Sequence, residues 1–188
     1  MASGPFIRMT AAGPEVAMEF FEVVRQRHSI RNYSSRPVEQ GKLDRVLAAA
    51  NLAPSAANLQ SYEVYVVTKV KQRAALAKAA CAQGFVLVAP LSLVFCTNPV
   101  RLLERYGERG RGLYAVQDAT IACAYAQLAA AAQGLGTVWV GAFDPDAVRQ
   151  VIGAPDEMEP VAILPIGYPE GQPEIKGRRP LEDLVHSV

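Results

Sequence analysis

From Ala115 to Gln133 the chain is apolar nearly all the way round a helix: alanine is by far its commonest residue, with Ile121, Cys123, Tyr125 and Leu128 spread around it. A helix with no polar face must be covered on several sides, and its small side chains let neighbouring elements come close. The rest of a 188-residue chain therefore has to be arranged around this one element. That length suits one well-filled core and is short for two. A single domain over residues 15–188 is expected, preceded by a loose tail over residues 1–14. The tail mixes Ala, Gly and Ser with neither a basic start nor an apolar run, so it resembles neither a signal peptide nor an anchor.

Around the central helix the pattern alternates. Helical spacing is expected over Val16–Gln26, Val38–Leu52 and Lys71–Gln83, and strands over Tyr62–Thr68, Leu91–Thr97, Thr137–Val140 and Val161–Ile166. Gly134-Leu135-Gly136 reads as the cap of the long helix. Asp144 followed by Pro145 reads as the start of a further helix to Ile152. Pro165 argues that the last strand lies at an edge or a bulge. Taken alone, the alternation suggests a parallel α/β sheet.

Composition excludes several classes of function. A formal net charge of +1 gives no general footprint for nucleic acid, so any phosphate binding must be local. Cys81, Cys96 and Cys123 are far apart and only His28 and His186 supply imidazoles, so neither a disulfide framework nor a metal centre is indicated; a reducing cytoplasm fits. No run is apolar and long enough to span a bilayer. G-x-S-x-G and the P-loop pattern are absent. Gly134-x-Gly136 runs from helix to strand and meets Trp139 where a dinucleotide fingerprint needs a third glycine. Apolar residues make up 51% of the chain, enough to suggest that a tight dimer hides part of its surface.

Two segments remain that carry chemistry. Arg27-His28-Ser29-Ile30-Arg31 places two guanidiniums and a hydroxyl within five residues at the end of the first helix, a donor set suited to a phosphate monoester. The same residues would also serve simply to complement the helix dipole. Pro54-Ser55-Ala56-Ala57-Asn58-Leu59-Gln60 opens a polar loop where the second helix is stopped. The charged stretch Pro99–Gly112 reads as a solvated helix and turn rather than a lid.

R-H-S-I-R, P-S-A-A-N-L-Q, the long helix closing in G-L-G-T-V-W-V-G-A-F, and a tail reading I-G-Y-P then K-G-R-R-P-L-E-D-L-V-H occur in this order. In this the chain resembles the nitroreductase family of flavoproteins from about Val16 to His186. The resemblance implies an α+β fold in place of the parallel sheet: a central, mostly antiparallel sheet packed by helices, in an intertwined homodimer whose C-terminal segments are exchanged. It implies FMN at the subunit interface and NAD(P)H as co-substrate. The implied reaction is a ping-pong transfer of hydride through flavin N5 to a nitroaromatic, quinone or similar flat acceptor. Alternatives are a dehalogenating, flavin-fragmenting or azoline-oxidising relative, or a non-enzymatic flavin-binding module.

Carried over by position, Arg27, Ser29, Lys176 and Arg178 match the phosphate site, with Arg179 as the fallback if the register moves by one. His28 contributes its backbone, and Arg31 matches a basic position near the flavin pyrimidine. Pro54, Ser55 and Asn58 match the loop against the ring, and Gln83 an amide at the pyrimidine edge. Gly141 and Ala142 match the turn whose backbone faces N5, so that no side chain is assigned as an acid or base. Where the family continues with Pro and Trp after Gln60, this chain has Ser61 and Tyr62, a departure that bears on the shape of the loop.

Overall fold

The computed structural model describes residues 18–188, so the expected tail over residues 1–14 and the first two residues of the expected first helix lie outside the described residues. That helix begins at Phe20, later than expected, with Glu19 as its N-cap accepting from Phe21 N–H. The order is α1 (Phe20–Gln26), α2 (Gln40–Asn51), a 3-10 turn (Ala56–Asn58), β1 (Tyr62–Val67), α3 (Val70–Ala79), α4 (Phe85–Val88) and β2 (Leu91–Thr97). Then follow α5 (Val100–Arg109), a π-helical turn (Gly110–Tyr114), α6 (Ala115–Ala132), β3 (Gly136–Thr137), α7 (Pro145–Ile152), β4 (Pro160–Gly167) and a last 3-10 turn (Leu181–Asp183).

The four strands form one sheet in the order β1-β2-β4-β3, antiparallel at every pairing. The fold is α+β. Strand alternation builds a core on each face. Leu91, Leu93 and Phe95 of β2 and Ala162, Leu164 and Ile166 of β4 pack with α2 and α6, while Val94, Cys96 and Ile163 pack with α3 and α7. Both faces are covered, which is why β2 reads as an unbroken apolar run. Helix α6 lies across the first face, with Ala115, Ala119, Ala122, Cys123 and Ala126 fully buried, as its composition requires.

Helix α6 ends in a Schellman motif: Leu135 N–H donates to Ala130 O, Gly134 N–H to Ala131 O, and Gly134 sits at φ +72. Helix α7 begins as expected, with the Asp144 carboxylate accepting from Asp146 and Ala147 N–H, and stops at Gly153 in the left-handed region. Three expectations are corrected. First, β4 is an inner strand rather than an edge. Its neighbour β3 runs only over Gly136–Thr137, not to Val140, and pairing resumes at Val140 with Ile163. The gap falls opposite Pro165, which has no N–H to offer, but the register is the same on both sides of it; the sheet's register shift lies instead between β2 and β4 at Phe95–Cys96, so Pro165 marks neither an edge nor a bulge.

Second, Gly136 is the first strand residue and not part of the cap. Third, α3 stops at Ala79 instead of Gln83, because Cys81 (φ +54) and Ala82 (φ +58) adopt left-handed conformations. No glycine announces that turn. The charged stretch forms α5, broken at Gly107 (φ +53), and runs through the π-helical turn directly into α6.

Candidate functional site

The R-H-S-I-R segment, called the clamp for its position around a small cleft, begins where α1 ends. Arg27 is its C-cap, with N–H bonded to Val23 O, and the chain then leaves in an extended conformation. Ser29 bridges in parallel to Thr137, and Ile30 N–H donates to Thr137 O at 2.9 Å, so the R-H-S-I-R segment is fastened to the edge of β3. Tyr33, buried at 3% exposure, fixes the following turn: its hydroxyl donates to Ile30 O at 2.7 Å and lies 3.4 Å from Pro165 O, the carbonyl opposite the gap in the sheet. Burial holds the Tyr33 phenol far above its ordinary pKa, so it remains a donor.

Arg27, His28, Ser29 and Arg31 line one small cleft of about 110 Å³ together with Lys176 and Arg178 from the far end of the chain. Glu174 is in the same cleft and reaches Lys176 at 3.5 Å. Arg179 turns instead toward Asp183 O, at 3.4 Å, so Lys176 and Arg178 are the tail cations that face the clamp. Four cations against one carboxylate make the cleft a place for an anion.

Gln83 lies in the turn after α3, and its Nε2 donates to Ala142 O at 3.2 Å. The amide thereby ties this turn to the Gly141-Ala142 segment that follows the Val140–Ile163 bridge. A Cβ on Gly141 would meet only Trp139, at 3.5 Å, an ordinary contact. Nothing within the chain demands glycine there.

The loop after α2 stands apart. Pro54, Ser55 and Ala56 line a second hollow of about 630 Å³ whose other walls are Tyr106, Tyr114 and the start of α6. It shares no lining residue with the cationic cleft. The Tyr106 and Tyr114 rings meet edge to face, with centroids 5.2 Å apart, so the stretch that sequence reading treated as solvated also supplies an aromatic wall. Within the loop, Ala57 (φ +48), Asn58 (φ +58) and Gln60 (φ +49) are all left-handed. Non-glycine residues in that region cost on the order of 1 kcal/mol each and need anchoring.

Sequence reading missed the anchor: Asp118, on α6 and 2% exposed, accepts from Ala56 N–H at 2.9 Å and from the Ser61 hydroxyl at 2.6 Å. Its signal was a lone carboxylate in an otherwise apolar helix. An asparagine side chain carries both a donor and an acceptor. The Asn58 Oδ1 accepts from Gln60 Nε2 at 3.1 Å, while its Nδ2 hydrogens make no hydrogen bond within the described residues.

Among the described residues there is no group of three or more His, Cys, Asp or Glu able to hold a metal, and no helix is long and apolar enough to cross a membrane.

Comparison with known proteins places the fold. The chain is 32% identical over 187 residues to NADH dehydrogenase of Thermus thermophilus, covering 85% of this chain and 91% of that one. It is 32% identical over 181 residues to an FMN reductase [NAD(P)H] of Bacillus subtilis, covering 89% and 73%. The solved structure of a nitroreductase family protein from Clostridium difficile 630 superposes with a TM-score of 0.80 at 34% identity, covering 90% of this chain and 98% of that one. The sequence profile of the nitroreductase family matches residues 24–168, which takes in the clamp, the strained loop and the whole sheet, and the chain belongs to that family.

Proposed function

We propose that the protein is an FMN-dependent oxidoreductase that takes hydride from NAD(P)H and passes it to a nitroaromatic, quinone or similar flat acceptor, the two substrates using one place in turn. The observation that carries this reading is the convergence of Arg27 and Arg31 with Lys176 and Arg178 on one small cleft. Among the described residues only Lys176 of these four is ion-paired, to Glu174. A phosphate dianion is the ligand that such a surplus of charge-assisted donors fits.

FMN, when bound, supplies the hydride chemistry through its N5. The chain supplies binding and orientation. Arg27, Ser29, Lys176 and Arg178 would hold the phosphate, with the His28 backbone between them. Arg31 would present a fixed cation to the pyrimidine end, where negative charge develops on reduction. Gly141 and Ala142 would bring bare main chain beside N5; glycine at 141 is not required by contacts inside the chain, where a Cβ would meet Trp139 only at ordinary distance, which supports a role for its bareness toward a ligand. Gln83 spends one N–H on Ala142 O and retains its Oε1 as an acceptor for the ring edge. Ser55 and Asn58 would donate to the ring and Pro54 would pack against it. The tyrosine pair beside this loop suits a flat, apolar acceptor.

Because the loop and the cationic cleft share no lining residue, a second copy of the chain is the natural source of the missing half. We therefore read the enzyme as a homodimer with two sites, each built from both subunits. Three free cysteines, two of them buried, support a reducing cytoplasm as its location.

The test is the absorbance spectrum of the purified protein with identification of the released cofactor, followed by oxidation of NADH and NADPH with menadione or nitrofurazone as acceptor. Released FMN together with turnover is the expected result. A colourless monomer with no affinity for FMN would sink the reading.

A further inference from the structure

The hydrogen bonds around Asp118 have a consequence for the flavin loop. Five residues, from Ala56 to Gln60, include three left-handed L-residues, Ala57, Asn58 and Gln60. A segment that short has little apolar burial with which to hold such a conformation, since Ala57 and Asn58 are exposed. Arg101 Nε donates to Leu59 O at 2.6 Å in the middle of the segment, and the two ends are both fastened to one buried side chain. Asp118 Oδ1 accepts from Ala56 N–H at 2.9 Å, and Oδ2 accepts from the Ser61 hydroxyl at 2.6 Å and Ser61 N–H at 3.3 Å. Asp118 is 2% exposed and Ser61 is fully buried, so water does not compete for these bonds.

What this anchoring does for the exposed side chains follows from counting hydrogens. Ser55 Oγ accepts from Gln60 N–H at 3.0 Å, which leaves the hydroxyl hydrogen to be donated away from the loop. Asn58 Oδ1 accepts from Gln60 Nε2, which fixes the amide plane and leaves the Nδ2 hydrogens without a partner in the chain. Both arrangements depend on the left-handed turn at Gln60, and that turn is held one residue further on by Ser61 and Asp118. Asp118 itself is set by α6, a long helix packed into the core, and does not move with the loop.

We propose that Asp118 is a positioning residue: from beneath, it holds the 56–61 loop in its strained form before any ligand arrives, so that Ser55 and Asn58 are presented to the flavin as ready-made donors. This rests on the FMN reading given above for what the loop faces. The holding itself does not depend on that reading, because it is a property of the chain alone. Preorganisation of this kind removes an ordering cost from binding.

The experiment compares wild type with Asp118→Asn, which is nearly isosteric and keeps an acceptor for Ala56 N–H but sets an amide where Ser61 offers two donors. Hydrogen exchange in the flavin-free proteins should show the amides of Ala56, Gln60 and Ser61 exchanging at least about tenfold faster in the variant, with the amides of α6 and the melting temperature little changed. FMN should bind about tenfold more weakly, and the absorption bands of the bound flavin should shift, a signature that loss of packing alone would not give. Unchanged loop exchange together with unchanged FMN affinity overturns the proposal. If Asp118→Asn does not fold, Ser61→Ala, which deletes only the hydroxyl bond, should weaken FMN binding about threefold, and no change there overturns the proposal equally. Faster loop exchange in a protein whose wild type binds no FMN would uphold the anchoring and refute the flavin assignment.

Discussion

Ile30 fills the space that any side chain at position 136 would need: a Cβ built on Gly136 falls 2.8 Å from both Cγ1 and Cγ2 of Ile30. Through this contact β3 carries the clamp, because Ile30 N–H is also bonded to Thr137 O at 2.9 Å. Gly136→Ala should therefore push the clamp off the sheet edge. The expected cost is about 1–3 kcal/mol in stability, read as a lower urea midpoint, together with weaker FMN binding. The control is Gly141→Ala, where the new Cβ makes only ordinary contact inside the protein. That variant should keep its stability while slowing flavin reduction in stopped-flow measurements. If Gly136→Ala leaves both the urea midpoint and FMN affinity where they were, the sheet edge does not support the clamp.

Arg27 and Arg178 reach the cleft from opposite ends of the sequence. Replacing either by Ala should remove a charge-assisted contact worth roughly 1.5–3 kcal/mol, about one to two orders of magnitude in the FMN dissociation constant. Fluorescence titration at several salt concentrations checks this, since each lost cation should also flatten the salt dependence of binding. Glu174→Gln removes the one opposing charge in the cleft and should act in the reverse direction, tightening FMN.

The degree to which this was legible in the sequence divides along physical lines. Signals that depend on local chemistry came through: the Asp144-Pro145 start of α7 and the Gly134 stop of α6 follow from backbone hydrogen-bond supply, and the unbroken apolar run of β2 from burial on both faces. The antiparallel topology came only from family resemblance, since alternating helices and strands favour the parallel alternative. Features made by tertiary contact left no local trace. Gly136 looked like the second glycine of a cap because its need for bareness arises from Ile30, more than a hundred residues away. The left-handed turn at Cys81 and Ala82 contains no glycine or asparagine, and it displaces Gln83 from the helix on which it was expected. Asp118 offered a signal, a charge at an apolar position, but its partners at Ala56 and Ser61 are visible only once the loop is folded back onto α6.

Acid should act on the fold through Glu39. The Tyr168 hydroxyl donates to its Oε2 at 2.6 Å, its own backbone N–H contributes, and Arg36 donates to its Oε1; together these hold the carboxyl down at about 2 against an ordinary 4.5. A pKa lowered by folding means that the ionised form stabilises the native state. That contribution is complete above the unfolded value of 4.5 and is lost as pH falls toward about 2. Glu39→Gln should therefore be less stable than wild type at neutral pH, and the gap in urea midpoint should close across that acid window. A gap that stays constant down to the lower limit would show that the Tyr168 and Arg36 contacts do not act on the ionised carboxylate.

The C-terminal arm should decide whether the two halves of the site come from different subunits. Beyond Gly171 the arm lies on the surface and turns apolar side chains outward, with Ile175 at 78% exposure, Leu181 at 73% and Leu184 at 51%, while its Lys176 and Arg178 serve the cleft. Exposed leucines in a folded arm are explained if a second copy covers them, at roughly 1.5–3 kcal/mol for each side chain buried. Replacing Leu181 and Leu184 together by Ser leaves all four cleft cations in place. If the arm is exchanged, the double variant should dissociate to monomers at concentrations where wild type is dimeric, as read by light scattering on a sizing column. Its FMN affinity should then fall further on dilution, because the cleft alone lacks Ser55 and Asn58 of the other copy. A variant that becomes monomeric yet binds FMN as tightly as wild type would mean that one chain completes the site by itself, and the separation between the cleft and the loop hollow would need another explanation.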